Sequence, residues 1–262
     1  MSSGKLTFVG LGLYDEKDIS LKGLDEIKNC DKVFAEFYTA KLTGTDTKTI
    51  EKIIGKPIEV LSRVETEKGD KILEIAKTKN VVFLTCGDPM TATTHIDLRL
   101  RAINKGIKTS VIHGNSIVTA VPGLLGLQNY KFGRTTTLAY PEKDYFPTSP
   151  YNIIKENKKM DLHTLVLLDI QADKDRYMTA NEGMKLLLKM EEKHKEGIVD
   201  EGSIICVVAR AGSKEPFVRA GTIKDLMKID FGPPLHTMVI PGKLHFMELE
   251  ALQALAQLPA QK

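Results

Sequence analysis

Apolar and polar positions alternate along the chain in blocks that read as buried strands, turns and amphipathic helices. Val81-Val82-Phe83-Leu84 is an unbroken apolar run of β-branched and aromatic residues, the pattern of a strand covered on both faces. It stops at Gly87-Asp88-Pro89, a turn. Ile96, Leu100 and Ile103 then recur at helical spacing up to Gly106, a residue suited to the left-handed stop that ends a helix. Strand, polar turn and helix make the half-unit of a parallel α/β sheet, whose ligands bind just beyond the carboxyl ends of the strands. Gly87 lets a backbone come close to a ligand and Asp88 adds an acceptor. The turn reads as the floor of a small-molecule pocket or as an ordinary strand-to-helix connection.

The same rhythm runs on both sides. Residues 6–9 predict a first strand leading into Gly10-Leu11-Gly12. Ser20 is placed to cap a helix with Leu21, Leu24 and Ile27 on one face. Residues 31–36 and 59–61 read as strands and 71–76 as an amphipathic helix. Residues 107–112 form another strand, ending on His113-Gly114-Asn115-Ser116. Ser116 opens a helix through Ala120 and Leu125, as its cap or as a ligand contact. Three strand ends thus carry turn chemistry, and in neighbouring strands these turns line one crevice. Residues 140–150, rich in proline and aromatics, have the composition of a long ordered loop.

A second block follows. Residues 164–170 predict a strand, and Thr179-Ala180-Asn181-Glu182 fits a capping box before a helix over 184–190. Strands over 203–208 and 236–240, a short helix from Thr222 and a closing helix over 246–256 complete it. The fold class is α/β. Two α/β domains are expected, an N-terminal one over 1–113 with a mostly parallel sheet and a C-terminal one over 132–262 with a mixed sheet, joined by a connecting region over 114–131.

Composition narrows the function. A length of 262 residues suits one large domain or two smaller ones, and 42% hydrophobic with 27% charged residues is ordinary for a globular protein. A net charge of +3, with acids interleaved among the bases, argues against nucleic-acid binding. Cys30, Cys86 and Cys206 form no C-x-x-C pair, so neither a zinc site nor a redox dithiol is expected, and a reducing compartment fits. Cys206 lies within an apolar run and reads as a core residue. No signal-peptide core and no apolar stretch of membrane-spanning length occurs. The expectation is a cytoplasmic protein without membrane or metal.

The candidate chemistry is defined mostly by elimination. Gly10-x-Gly12 invites a dinucleotide reading, but the third glycine of that motif would fall at Asp15, and no phosphate-binding P-loop occurs. None of the six histidines pairs with another across an acid at metalloprotease spacing, and there is no G-x-S-x-G elbow and no prominent carboxylate pair. His95 and His236 read either as ligand contacts or as structural hydrogen-bonders. A pocket of glycine turns without metal or nucleophile suits a reagent that is already activated. The sulfonium of S-adenosylmethionine is one, since the protein has mainly to align donor and acceptor. The residues alone stop at an α/β small-molecule enzyme or binder, with a transferase among the readings.

A set of short motifs carries a resemblance over about residues 5–250: Gly10-Leu11-Gly12-Leu13-Tyr14-Asp15, Ala35-Glu36-Phe37-Tyr38-Thr39, Gly87-Asp88-Pro89, Ala92-Thr93-Thr94-His95, Leu168-Asp169-Ile170, Arg176-Tyr177-Met178-Thr179-Ala180-Asn181, Ala209-Arg210-Ala211-Gly212 and Pro241-Gly242-Lys243-Leu244-His245. In this order they resemble the diphthine synthases, a family of the tetrapyrrole-methylase class of S-adenosylmethionine enzymes. The resemblance implies a homodimer of two-domain chains with the donor in the cleft between domains. Carried over by motif, Leu13, Asp88, Thr91, Ser116, Ile117, Leu168, Ala211 and His236 would contact S-adenosylmethionine, which leaves as S-adenosylhomocysteine. Thr91 stands where relatives often carry an apolar residue or glycine. The implied reaction is repeated methylation of the amino group on a modified histidine of translation elongation factor 2, in diphthamide biosynthesis. No side chain is an evident base, so none is assigned. The short junction between Ile170 and Arg176 resembles archaeal members, which stop at the trimethylated product. The alternatives are a methyltransferase of the same class acting on a tetrapyrrole and a non-catalytic nucleotide-binding protein.

Overall fold

The computed structural model describes residues 4–142 and 145–260. The chain divides into two compact units, one running to Ile117 with Ala172–Lys174 added, the other comprising Val118–Gln171 and the chain from Asp175 onward.

The first unit is built on five parallel strands. In chain order its elements are β1 (Lys5–Gly10), α1 (Leu21–Asn29), β2 (Lys32–Glu36), α2 (Thr47–Ile54), β3 (Ile58–Val60), α3 (Arg63–Lys68), α4 (Asp70–Ala76), β4 (Asn80–Thr85), α5 (His95–Asn104) and β5 (Lys108–Ile112). The strands lie in the order β3-β2-β4-β1-β5, every pair parallel. Alternation along the apolar runs feeds two cores. Leu6, Phe8, Val81 and Phe83 pack with Ile72, Leu73, Leu98 and Ala102. Val9, Val82 and Leu84 pack on the opposite face with Ile27, Ile50 and Ile54. A sheet covered on both faces has no polar side to present, hence the unbroken apolar runs. β1 leads by α1 towards β2, whereas β4 leads by α5 across β1 to β5. The two connections leave on opposite faces, so the adjacent ends of β1 and β4 form a switch point, where open α/β sheets bind ligands.

Two faces differ from the sequence expectation. On α5, Ile96, Leu100 and Ile103 are half-exposed, and the buried side is His95, Leu98 and Ala102. Helical spacing identifies a stripe, but which stripe turns inward is set by the sheet below. On α1, Leu21 is 82% exposed and only Ile27 of the predicted trio is fully buried.

The second unit begins within α6 (Ile117–Leu125) and continues through β6 (Thr136–Leu138), α7 (Ser149–Lys159), β7 (Thr164–Leu168), β8 (Ile170–Gln171), β9 (Arg176–Tyr177), α8 (Ala180–His194), β10 (Ile204–Ala209), β11 (Phe217–Thr222), α9 (Ile223–Leu226), β12 (His236–Ile240) and α10 (Phe246–Ala256). Its sheet runs β11-β10-β12-β7-β6 and is mixed: only β6 and β7 pair in parallel. Tyr151 and Ile154 of α7 and Met184, Leu187 and Met190 of α8 close one core against Val166, Val207 and Met238. The capping box is formed, with the Thr179 hydroxyl on the Glu182 N–H and the Glu182 carboxylate returning to Thr179. Of the predicted loop over 140–150, residues 140–142 and 145–148 lie outside helices and strands, α7 takes Ser149 and Pro150, and 143–144 fall outside the described residues.

Candidate functional site

The carboxyl ends of β1, β4 and β5 come together on glycine. A Cβ on Gly10 would lie 2.5 Å from the Gly87 carbonyl oxygen and 2.6 Å from the Gly114 nitrogen. One on Gly114 would lie 2.4 Å from that same oxygen. The three turns can meet only because none of these residues has a side chain. Gly12 and Gly87 then bond reciprocally, N–H to carbonyl, at 3.3 and 2.6 Å. At the crest of the β4 turn the backbone stays open. Gly87 has φ +70°, and a Cβ there would meet only the Asn115 carbonyl oxygen, at 4.0 Å.

Acids hold these turns in shape. Asp88 is 7% exposed. Its Oδ1 accepts from the Met90 N–H at 2.9 Å and the Thr91 hydroxyl at 3.3 Å, and its Oδ2 lies 2.7 Å from His113 Nδ1. Asp18, which the sequence reading did not single out, accepts the N–H groups of Leu13 at 2.9 Å and Tyr14 at 2.8 Å on one oxygen. Those are amides that a pyrophosphate at the Gly-x-Gly turn would need, so a dinucleotide finds both the wrong residue at position 15 and the donors already taken. An acid a few residues beyond a glycine turn, close enough to reach back to its amides, was the available sign.

Glu36 at the end of β2 was likewise missed as a structural acid. It is fully buried, with the N–H groups of Tyr38 and Thr39 on one oxygen and the Thr39 hydroxyl on the other. His95 is its neighbour. Its Nδ1 lies 3.0 Å from the Pro89 carbonyl, which makes it the donor there, and its Nε2 stands 3.6 Å from Glu36 Oε1. Burial lowers the His95 pKa against the pull of Glu36. Tyr38 is pushed up to about 12 by burial and by the Glu36 charge, so it stays a phenol.

Leu13, Asp88, Thr91, Ser116 and Ile117 therefore all lie in turns at the carboxyl end of the first sheet or at the start of α6. The other three predicted residues share one end of the second sheet. Leu168 ends β7 and Ala211 follows β10, while β12 runs antiparallel to both and starts at His236, which pairs with Ala209. His236 is a frame residue in its ring nitrogens: Nδ1 accepts from the Ala180 N–H at 3.2 Å, and Nε2 lies 3.1 Å from the carbonyls of Gly232 and Pro233. Among the described residues no group of three His, Cys, Asp or Glu side chains could hold a metal ion, and no helix is long and apolar enough to cross a membrane.

A glycine-built switch point whose amides are already held by carboxylates defines a class without a phosphate-clamping loop. The family description "Tetrapyrrole (Corrin/Porphyrin) Methylases" matches residues 5–227. A diphthine synthase of Methanocaldococcus jannaschii is 55% identical over 96% of this chain and 99% of its own. One of Methanocella arvoryzae is 56% identical over 97% and 98%. A solved diphthine synthase structure superposes with a TM-score of 0.89 at 42% identity, covering 97% of each chain. A putative diphthine synthase from Entamoeba histolytica gives 0.89 at 40%, covering 98% of this chain and all of that one. The chain belongs to the tetrapyrrole methylases and, within them, to the diphthine synthases. It is an S-adenosylmethionine-dependent methyltransferase of diphthamide biosynthesis.

Proposed function

We propose that this enzyme methylates, repeatedly, the amino group of the aminocarboxypropyl arm on a modified histidine of translation elongation factor 2. The observation that carries the reading is the set of turns at the ends of β1 and β4, closed to phosphate by Asp18 and open at Gly87. These residues fit S-adenosylmethionine, a cation with no phosphate. Buried carboxylates favour its charge, and the bare Gly87 crest leaves room for it. When bound, the donor supplies an electrophilic methyl group on a positively charged sulfur.

The chain's own residues then supply position. Leu13 and Ile117 offer apolar surface, Asp88 and Thr91 fix the turn, and Ser116 adds a hydroxyl. Leu168, Ala211 and His236 are proposed as further donor contacts. Alignment of two reactants in this way is worth several kcal/mol without any acid or base. The resemblance supports a homodimer in the cytoplasm, and the burial of all three free cysteines suits a reducing compartment.

Incubation with radiolabelled donor and elongation factor 2 carrying the aminocarboxypropyl histidine tests the reading. Label is expected on that histidine, several methyl groups per chain. Label on a corrin precursor and none on the factor would move the enzyme to the tetrapyrrole branch of its class. No measurable affinity for S-adenosylhomocysteine would remove the methyltransferase reading altogether.

A further inference from the structure

An amine attacks a methyl donor only through its lone pair, and an aliphatic amine with a pKa of about 10 is protonated in all but roughly one molecule in a thousand at pH 7. Something has to take that proton before each transfer. We propose that His113, oriented by Asp88, is the general base; this rests on the function proposed above.

The case is geometric. Nδ1 of His113 lies 2.7 Å from Asp88 Oδ2. An ionised carboxylate only accepts, so Nδ1 carries the hydrogen and Nε2 keeps its lone pair. The His113 side chain is 74% exposed while the Asp88 side chain is 8% exposed, and no hydrogen bond to Nε2 occurs among the described residues. A buried acid that fixes the tautomer, holding an imidazole whose other nitrogen is free, is the arrangement in which histidine abstracts protons. It stands beside the Gly87 crest, at the end of β5.

The remaining histidines are otherwise occupied. His95 is buried with Nδ1 on Pro89. His163 has both nitrogens engaged, by Glu248 and by the Gly242 N–H. His236 is held as described. His194 is stacked on Tyr151, and His245 caps α10 through Nδ1. The acids from neighbouring strand ends are committed too, Asp18 to Leu13 and Tyr14 and Glu36 to Tyr38 and Thr39. Asp88 is the charged group bonded to His113, and it compensates the imidazolium formed.

In each turnover the ammonium gives its proton to Nε2. The amine nitrogen forms a bond to the methyl carbon as the carbon–sulfur bond breaks, its electron pair passing to sulfur to leave neutral S-adenosylhomocysteine. The exposed imidazolium returns its proton to water. After the third transfer the quaternary nitrogen has no proton to give, and the cycle ends.

Nitrogen-15 NMR of the full chain with labelled histidine should show the Nδ1–H tautomer at His113. The Nε2–H tautomer would overturn the assignment. His113→Gln should bind S-adenosylhomocysteine within about threefold of the native chain yet lose about 100-fold or more in kcat at pH 7, the deficit shrinking as pH rises toward the amine's own pKa. Native turnover in His113→Gln, or a loss that is the same at every pH, sinks the base while leaving the function intact. Failure of the unaltered chain to methylate the factor sinks both.

Discussion

At the scale of single residues, the turn after β4 concentrates the chemistry because each of its polar atoms has a fixed task. Asp88 serves Met90, Thr91 and His113 at once. Asp88→Ala removes all three restraints from a turn that the glycine contacts still hold in place. The variant is expected to fold and to bind S-adenosylhomocysteine about 10- to 100-fold more weakly, about 1.4–2.7 kcal/mol. Calorimetry measures this directly, and an undiminished affinity in a folded variant would argue against this turn as the donor site. Asp88 was legible in the sequence because Gly87 and Pro89 mark it as a turn residue. Asp18 and Glu36 were less so. Their partners are backbone amides, which no side-chain motif reveals, and a lone acid in sequence reads first as surface.

At the scale of elements, strands buried on both faces announced themselves by apolar runs, and α8 by its capping box. What escaped notice was short or mixed in composition. β11 carries Arg219 and Gly221 within its six residues and is an edge strand, half-exposed at one end. α7 starts at Ser149-Pro150, inside a turn-rich segment, and β6 has only three residues. The glycine contacts are also a property of elements, since they let three strands end against one another. Gly114→Ala sets a methyl group 2.4 Å from the Gly87 carbonyl, backbone against backbone. A loss of at least about 3 kcal/mol is expected, at the upper end for overpacking, read as a lower urea midpoint. Native stability in this variant would mean that the three turns are not held by close backbone contact.

At the scale of the whole molecule, the second unit carries two carboxylates, Glu248 in a buried ion pair and Glu191 held by neutral donors, that shape its response to acid. Burial alone would raise the Glu248 carboxyl, but Lys131 at 2.5 Å, the N–H groups of His245 and Gln128, and His163 bring it down to about 2. Burial of Glu191 is likewise outweighed by the N–H groups of Val199, Gly197 and Ile198 and the Tyr151 hydroxyl, which bring it to about 2. A carboxyl whose pKa is lower in the folded than in the unfolded chain stabilises the fold above the unfolded value and loses that contribution as pH falls through the folded one. Stability should therefore hold above about pH 5 and decline between about 4.5 and 2. Glu248→Gln should cost about 3 kcal/mol at neutral pH and flatten the acid limb, as followed by urea titration across pH. An acid limb unchanged by the substitution would assign acid lability elsewhere.

By itself the sequence determined the α/β class, most strands and several helix caps, because local periodicity and turn chemistry are written in neighbouring residues. It also determined where the turns with chemical potential fall. The tertiary structure alone decided which face of α5 turns inward, that three glycines from separate strands touch, and that Asp88 meets His113 across 25 residues of chain. Those facts depend on strand order, and strand order is settled by long-range packing that no short window of sequence contains.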